Sequence, residues 1–402
     1  MEAATHSHHH HDHGPAIELN PAGWRDGKRY AWLLGLVIPF APFIAWASVE
    51  LTGFDFFWFF GPLLVFVAFP ILDIVIGMDA TNPPDSVLKW LEQDRYYRWC
   101  TYLFIPVQYA GLVFACWLWS SGDLSTLESI GLALTMGVVG GIAINTAHEL
   151  GHKRDGTERW LSRVALAQTG YGHFFIEHNR GHHVRVATPE DPASSRLGES
   201  FWAFLPRTVA GSVRSAWKIE CARLDRLGKS HWTLRNDVLG AWAMTVALFA
   251  VLVAVFGLVV LPYLLIQALG FILLEVVNYL EHYGLLRQKR EDGRYERCLP
   301  EHSWNSNNVA SNVLLYHLQR HSDHHANPTR RYQALRHVDE APQLPTGYAG
   351  MIVLAWFPPL WRRVMDHRLL EHYGGDVSRA NIQPQARRRI LARYGNGAEA
   401  SA

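Results

Sequence analysis

At 402 residues the chain is long enough for two or three soluble domains or for one large membrane domain. Its formal net charge of +1 argues against a nucleic-acid partner, which would call for a strongly basic surface. Four cysteines, Cys100, Cys116, Cys221 and Cys298, form no CxxC pair, which argues against a disulfide framework or a thiolate-bound metal.

The N-terminal stretch, residues 1–29, carries a histidine-rich tract and is predicted to be flexible. A flexible tract cannot hold a fixed geometry, so its histidines are excluded from the candidate site. The first apolar run begins near Tyr30, is long, and has no cleavage-like sequence after it. No secretory signal peptide is therefore expected.

Six apolar segments have the roughly 20 residues that a helix needs to cross a bilayer. They are residues 30–49, 54–76, 100–120, 125–147, 237–256 and 259–281. The short turns within the three pairs contain no Lys or Arg, whereas the stretch from Lys153 to Arg235 contains fourteen. The positive-inside rule therefore places both termini and the long loops in the cytoplasm.

The predicted fold is all-α, a six-transmembrane-helix bundle with a cytoplasmic helical cap, occupying residues 30–375. Residues 376–402 are predicted to form a polar C-terminal tail. The apolar stretch Met351–Trp361 is too short to span and is expected to be an interfacial or re-entrant piece.

Nine histidines occur in four clusters, and each cluster lies at or beyond the predicted cytoplasmic end of a span. They are His148, His152, His178, His182, His183, His282, His321, His324 and His325. Histidines at i and i+4 share a helix face, so each of the pairs 148/152, 178/182 and 321/325 could hold one ion. His183 would then point elsewhere and could reach a second ion. Nine imidazoles exceed the coordination of one ion and suit two. All-nitrogen ligation suits iron, zinc, copper or nickel, and two metals without thiolates beside an apolar membrane pocket favour iron and dioxygen.

Five carboxylates near the clusters could orient the imidazoles through their far ring nitrogens. These candidates are Glu149, Glu177, Asp191, Glu281 and Asp323. The remaining histidines are expected to be structural, and His317 is ranked as a neighbour of the site rather than a ligand. Glu275, an acid inside the sixth span, is expected to be a hydrogen-bonded interior residue.

Two other functions are compatible with part of the pattern. His148, Glu149 and His152 match HExxH, the zinc-protease helix in which the glutamate is the general base. That hypothesis leaves the other histidine clusters unexplained. A metal transporter is the second alternative, but transporter sites lie near the bilayer midplane, and these histidines collect at one membrane end.

Four motifs carry a family resemblance: HELGHK, EHNRGHHVRVATPEDPASSR, NYLEHYGLLRQ and LQRHSDHHANPTRRYQ. Together they resemble the integral-membrane alkane 1-monooxygenases (alkane omega-hydroxylases) of the fatty-acid desaturase and hydroxylase superfamily. The resemblance implies a non-haem di-iron enzyme of the bacterial inner membrane, without haem or flavin. It would convert medium-chain n-alkanes to primary alcohols with dioxygen, and the nine histidines would be its catalytic iron ligands.

The resemblance also implies the electron donor, a rubredoxin reduced by an NADH-dependent rubredoxin reductase. Since this chain lacks rubredoxin cysteines, the donor would be a separate protein or a fusion partner. Arg180, Arg185 and Arg196 could dock an acidic donor or contact lipid headgroups. A membrane fatty-acyl desaturase, or a hydroxylase of another hydrocarbon, is the main enzymatic alternative.

Substrate orientation would depend on the shape of a channel between the helices. Gly140, Gly141 and Ala143 on the fourth span could narrow its end. The alternative, close helix packing, is favoured for these small residues.

Overall fold

The computed structural model describes residues 23–395. Within this range the protein is all-helical, and its strand-like pairing is confined to four isolated β-bridges. The histidine-rich N-terminal tract and the end of the predicted polar tail lie outside the described residues.

Fifteen helical segments position the site. In chain order they are α1 (Ala41–Thr52), α2 (Asp55–Ile76), α3 (Leu88–Gln93), α4 (Arg95–Ser121), α5 (Thr126–Gly151), α6 (Gly156–Ala167), α7 (174–185), α8 (Phe201–Arg226), α9 (Asp237–Phe256), α10 (Leu258–His282), α11 (Val309–Leu314), α12 (His321–Ala326), α13 (Tyr348–Ala355), α14 (Pro358–His372) and α15 (Arg387–Tyr394). Short 3-10 turns connect several of them. Helices α2, α4, α5, α9 and α10 are long and apolar enough to cross a membrane.

The first predicted span is not one straight helix. A 3-10 segment, Ala31–Val37, meets α1 at an angle of 69°. Pro39 lies at the break and Pro42 follows in the first turn of α1. Proline has no amide hydrogen and its ring clashes with the preceding turn, so a bend is expected here. The described residues thus contain five candidate spans, or six if this bent pair is one of them.

Helix α5 is the central helix of the apolar region. Within its most apolar window 78% of the residues are buried, against 22% in α2 and in α9. It packs against α2, α4 and α10, and its last turn carries His148. Helix α10 ends at His282, so two of the buried helices deliver histidines to the same place.

Helices α5 and α10 cross in backbone contact at glycines. A Cβ on Gly270 would lie 2.0 Å from the carbonyl oxygen of Gly137, and a Cβ on Gly141 would lie 2.5 Å from the carbonyl oxygen of Gly270. Only glycine permits this approach, which is a common packing mode of membrane helices. The crossing brings the two histidine-bearing helix ends together.

The chain after α10 packs back onto this core. The predicted interfacial stretch forms α13 and the start of α14, and α13 lies against α10 and the end of α2. Of the predicted tail, the side chains of Ile382, Ala386 and Ile390 are buried in the main core.

We predict that Gly270→Ala destabilises the protein, because the added methyl group overlaps the Gly137 carbonyl. Overpacking of this kind costs about 1–3 kcal/mol. The thermal midpoint of the detergent-purified protein should fall by several degrees. Gly156→Ala is the matched control, since nothing lies within 4 Å of its added Cβ. Equal midpoints for the two variants would contradict the close crossing.

Candidate metal centre

The nine histidines of the four sequence clusters converge on one region. His148 lies in the last turn of α5, and His152 directly follows that helix. The second cluster lies on α7, His282 ends α10, and the last cluster lies on α12. Six of the nine side chains are buried, and His152, His183 and His325 are partly buried.

The nine rings divide into two groups, each compact enough to surround one ion. The five-histidine group contains His148, His152, His178, His183 and His324. The four-histidine group contains His182, His282, His321 and His325. Within each group, one nitrogen per ring lies within 4.8 Å of the corresponding nitrogens of the others.

The second cluster is divided differently from the prediction. The i,i+4 rule pairs His178 with His182, but His178 groups with His183, and their Nε2 atoms are 3.0 Å apart. The cause is a π-helical turn over His178–His182. A π turn widens the helix so that residues five apart come onto one face, and such turns often mark functional sites.

The other two clusters follow α-helical spacing. His148 and His152 belong to one group, and the ring of His321 faces that of His325 with Nε2 atoms 2.9 Å apart. His324, adjacent to His325, points into the five-histidine group. Residues adjacent in sequence on α7 and on α12 thus serve different groups.

The nitrogens fit a metal better than they fit each other. Nitrogens bound to one ion at roughly 2.0–2.1 Å stand about 3 Å apart in adjacent octahedral positions. The contacts of 3.0 Å and 2.9 Å above and the 3.2 Å between the Nε2 atoms of His321 and His282 match that spacing. Among residues 23–395, four further Nε2 atoms are buried without a hydrogen-bond partner: those of His148, His152, His182 and His324. A buried polar atom without a partner is costly, and one cation in each group would satisfy all four of them.

Electrostatics keep the rings in the form that binds metal. Burial lowers the pKa values of His152, His178 and His183 well below the ordinary value for histidine, and neighbouring imidazoles lower them further. These rings are therefore neutral at physiological pH. A neutral imidazole offers a nitrogen lone pair, which a metal ligand requires.

Two of the five predicted carboxylates contact site imidazoles. His182 Nδ1 is 2.7 Å from Asp191 Oδ2, and His321 Nδ1 is 2.8 Å from Glu281 Oε2. Burial alone would raise the pKa of Asp191, but the His182 ring and the Ser194 hydroxyl lower it to about 2. An ionised Asp191 accepts a hydrogen bond from the Nδ1–H of His182. This contact directs the Nε2 lone pair of His182 into the four-histidine group.

The other three predicted carboxylates have different partners. Glu149 pairs with Lys153 at 3.1 Å and accepts the backbone N–H of Tyr332. Glu177 accepts a hydrogen bond from the Arg185 side chain. Asp323 accepts hydrogen bonds from the Arg330 side chain and from the backbone N–H of Arg336. The glutamate of the HExxH match is thus held by a lysine, and its two histidines share their group with three others.

The remaining described histidines lie outside both groups. The Nδ1 of His317 contacts the Tyr332 carbonyl, and its Nε2 is 3.1 Å from Lys28 Nζ. His302 supplies the backbone carbonyl that accepts His282 Nδ1 at 2.9 Å, an orienting contact that the sequence pattern does not reveal. His173, His231, His337, His367 and His372 also belong to neither group.

A cavity of about 40 Å³ lies beside the five-histidine group, and His148 and His178 line it. The apolar wall consists of Val65, Ile142, Phe174, Leu273, Leu274, Val277, Leu314, Leu315, Leu318, Ala349 and Ile352. The cavity therefore places apolar surface directly beside the imidazoles.

The site residues predicted from the sequence include neither of the two amides beside this cavity. Asn145 and Asn278 both line it. Asn145 precedes His148 by three positions on α5, so helical spacing alone could have indicated it. Asn278 donates a hydrogen bond to Glu275, which also accepts hydrogen bonds from the hydroxyl groups of Tyr171 and Thr208. Glu275 is thus a hydrogen-bonded interior acid whose neighbour lines the cavity.

Of the small residues proposed to narrow the channel, Gly141 lines the cavity and is also in tight contact with α10. Gly140 faces Thr169 and Gln168 rather than the cavity. Ala143 is buried in the main core.

Comparisons with known proteins agree on one family. Residues 125–355 match the family model described as fatty acid desaturase. The chain is 50% identical to the alkane 1-monooxygenase of Acinetobacter baylyi, over 92% of both chains. It is 47% identical to alkane 1-monooxygenase 1 of Alcanivorax borkumensis, over 95% of both, and 48% identical to the alkane 1-monooxygenase of Ectopseudomonas oleovorans, over 92% of both.

We predict that Asp191→Asn weakens metal binding by about 10–100-fold, the range typical when a residue that orients a ligand is lost. The amide keeps the size of the side chain but not the charge that holds the His182 Nδ1 proton. Metal affinity would be measured by chelator competition and elemental analysis. Asp339→Asn is the control, because Asp339 is exposed and contacts His337 away from the site. Unchanged affinity in Asp191→Asn would contradict the orienting role.

Proposed function

This chain belongs to the alkane 1-monooxygenase family, and we propose that it hydroxylates the terminal methyl group of medium-chain n-alkanes to give primary alcohols. The reaction consumes one dioxygen, two electrons and two protons, and it releases one water with the alcohol. The observation that carries the proposal is the apolar cavity lined by His148 and His178.

The cavity accounts for how an alkane can be held. An alkane has no polar group, so shape and burial must orient it, and burial contributes about 0.8 kcal/mol per CH₂. The apolar wall beside His148 and His178 would hold the end of an alkane chain next to the imidazoles. Binding in this orientation exposes a terminal carbon, not an internal one, to the metal centre.

The lining also distinguishes an alkane from a fatty acid. Among the described residues that line the cavity there is no Lys or Arg, and the one acid, Glu281, lies beside His321. A free carboxylate would be buried there without a cation, which is costly. Hydrocarbon hydroxylation is therefore favoured over chemistry on a fatty-acid headgroup.

We propose iron as the metal, one ion in each histidine group, with all nine histidines as ligands. When bound, two irons would supply the oxidation of a methyl C–H bond by dioxygen. The protein would orient the ligands through Asp191, Glu281 and the His302 carbonyl. The apolar wall would exclude water from the reacting carbon.

We further propose that the protein spans the bacterial inner membrane six times, with the bent pair as the first span. Both termini, the long polar segments and the two histidine groups would face the cytoplasm. The distribution of Lys and Arg supports this orientation, because the turns within the helix pairs carry none.

Rubredoxin, reduced by NADH through its reductase, is the proposed electron donor. A basic basin beside the second histidine cluster is lined by Arg180, Arg185 and Arg196. Its charge suits an acidic protein, since complementary charges accelerate encounter. Arg180 lies between His178 and His182 of α7 and Arg185 follows the cluster, so docking here would bring the donor close to the metal centre.

We predict that His182→Ala contains fewer than two irons per chain and forms no 1-octanol from octane with reduced rubredoxin. His182 is one of only four imidazoles in its group, so its loss leaves three. Iron would be measured by elemental analysis and products by gas chromatography. His367→Ala, which removes an exposed histidine outside both groups, should retain two irons and wild-type turnover. Two irons with normal turnover in His182→Ala would refute the ligand assignment, and 2-octanol or an alkene from wild type would refute terminal hydroxylation.

We also predict that electron transfer from rubredoxin slows as salt rises, because exposed charges are screened beyond about 10 Å at 0.1 M salt. Arg196→Gln should slow reduction at low salt and flatten the salt dependence. Stopped-flow reduction of the purified enzyme measures both effects. Arg388→Gln removes an equal charge at an exposed site in α15 and should behave as wild type. A flat salt dependence in wild type would count against this docking surface.

A further inference from the structure

Helix α8 separates two surfaces of opposite character. Arg207, Gly211, Arg214 and Lys218 recur along one face and border the basic basin. The neighbouring face borders an apolar groove, lined by Pro206, Val209, Ala210, Val213 and Trp217 of α8 together with Trp232, Leu239 and Trp242. Arg214 lines both surfaces and marks where the groove meets the basin.

Two cations at this junction lack a carboxylate partner. Arg180, Arg185 and Arg207 each pair with a glutamate at 2.7–2.9 Å. Arg214 and Lys218 are exposed, one helical turn apart, and form no ion pair within residues 23–395. Positive charge is therefore available at the mouth of the groove for an anion that the protein does not itself provide.

The groove lies where a membrane helix begins. Leu239 and Trp242, which form its far wall, belong to the first two turns of the candidate span α9. Trp232 on the groove and Trp202 at the start of α8 are 78% and 54% exposed. Exposed tryptophans are typical of the membrane–water interface, where one side of the ring is apolar and the other is wet.

We propose that this groove and its two free cations form a binding site for an anionic phospholipid. An acyl chain occupies the apolar groove, and the phosphate is bound by Arg214 and Lys218. An occupant with a long apolar part directly joined to a negative group satisfies both surfaces at once. An acidic soluble protein would use the cations but would leave the groove at the membrane interface unfilled.

Lipid bound here would also stabilise the region of the histidine groups, because residues of α8 contact side chains that surround them. Ser215, next to Arg214, accepts a hydrogen bond from Arg185, and Arg185 lies two residues after the second histidine cluster. Thr208 donates to Glu275, which holds the cavity residue Asn278. Anionic lipid should therefore raise the thermal midpoint of the protein as well as bind to it.

The test uses the full-length, iron-loaded protein in lipid nanodiscs with spin-labelled phosphatidylglycerol or phosphatidylcholine as probe. The fraction of motionally restricted label reports relative affinity. Wild type should prefer phosphatidylglycerol severalfold, and Arg214→Gln/Lys218→Gln should reduce that preference to nearly none. Arg226→Gln/Lys229→Gln is the matched control, since it removes two exposed charges at the end of α8 and in the turn after it that line neither the basin nor the groove, and it should keep the preference.

A second variant tests the apolar half without changing charge. Ala210 is exposed on the groove wall, so Ala210→Trp should fill the groove and reduce restricted label for both lipids. The proposal would be overturned if Arg214→Gln/Lys218→Gln kept the preference for phosphatidylglycerol, or if its control lost that preference equally. It would also be overturned if Ala210→Trp left the fraction of restricted label unchanged. Slower reduction by rubredoxin with lipid preference intact would assign the two cations to the protein donor instead. Octane hydroxylation measured in the same nanodiscs separates these outcomes from failure of the proposed catalytic function.

Discussion

The structure depends on the burial of imidazole nitrogens that have few protein partners. Six of the nine histidine side chains are buried and three are partly buried, and within the described residues the Nε2 atoms of His148, His152, His182 and His324 have no hydrogen-bond partner. A buried polar atom without a partner costs free energy, so these four nitrogens favour a bound cation. Asp191 and the His302 carbonyl contact the outer nitrogens of His182 and His282, and Glu281 Oε2 lies 2.8 Å from His321 Nδ1. With cations bound to the inner nitrogens, metal binding and folding of this region would be coupled.

The surrounding helices make that arrangement possible by close contact. Glycine contacts between α5 and α10 let two buried helices approach until their last turns deliver His148 and His282 to one place. Residues of both helices, among them Gly141 and Leu273, also line the apolar cavity beside the five-histidine group. One packing feature thus places both the histidines and part of the cavity wall.

The sequence predicted which residues lie at the site better than it predicted how they are arranged. Helical spacing correctly joined His148 with His152 and His321 with His325, because those residues lie on or directly after α-helical turns. It failed at His178 because a π turn has no residue signature that spacing rules can read. Asp191 and Glu281 could be proposed among five carboxylates, but choosing them required three-dimensional contacts. The bend at Pro39 was readable in principle, but hydropathy alone averages over it.

The division of neighbouring histidines between the two groups bears on how the protein is made. His182 and His183 diverge into different groups, as do His324 and His325. Each group contains residues from α12, which follows every candidate span among the described residues. With these histidines as metal ligands, both sets would be complete only after all of those helices have been synthesised. Metal acquisition would then be a late step of biogenesis, and a chain that stops short of residue 324 would lack part of each set.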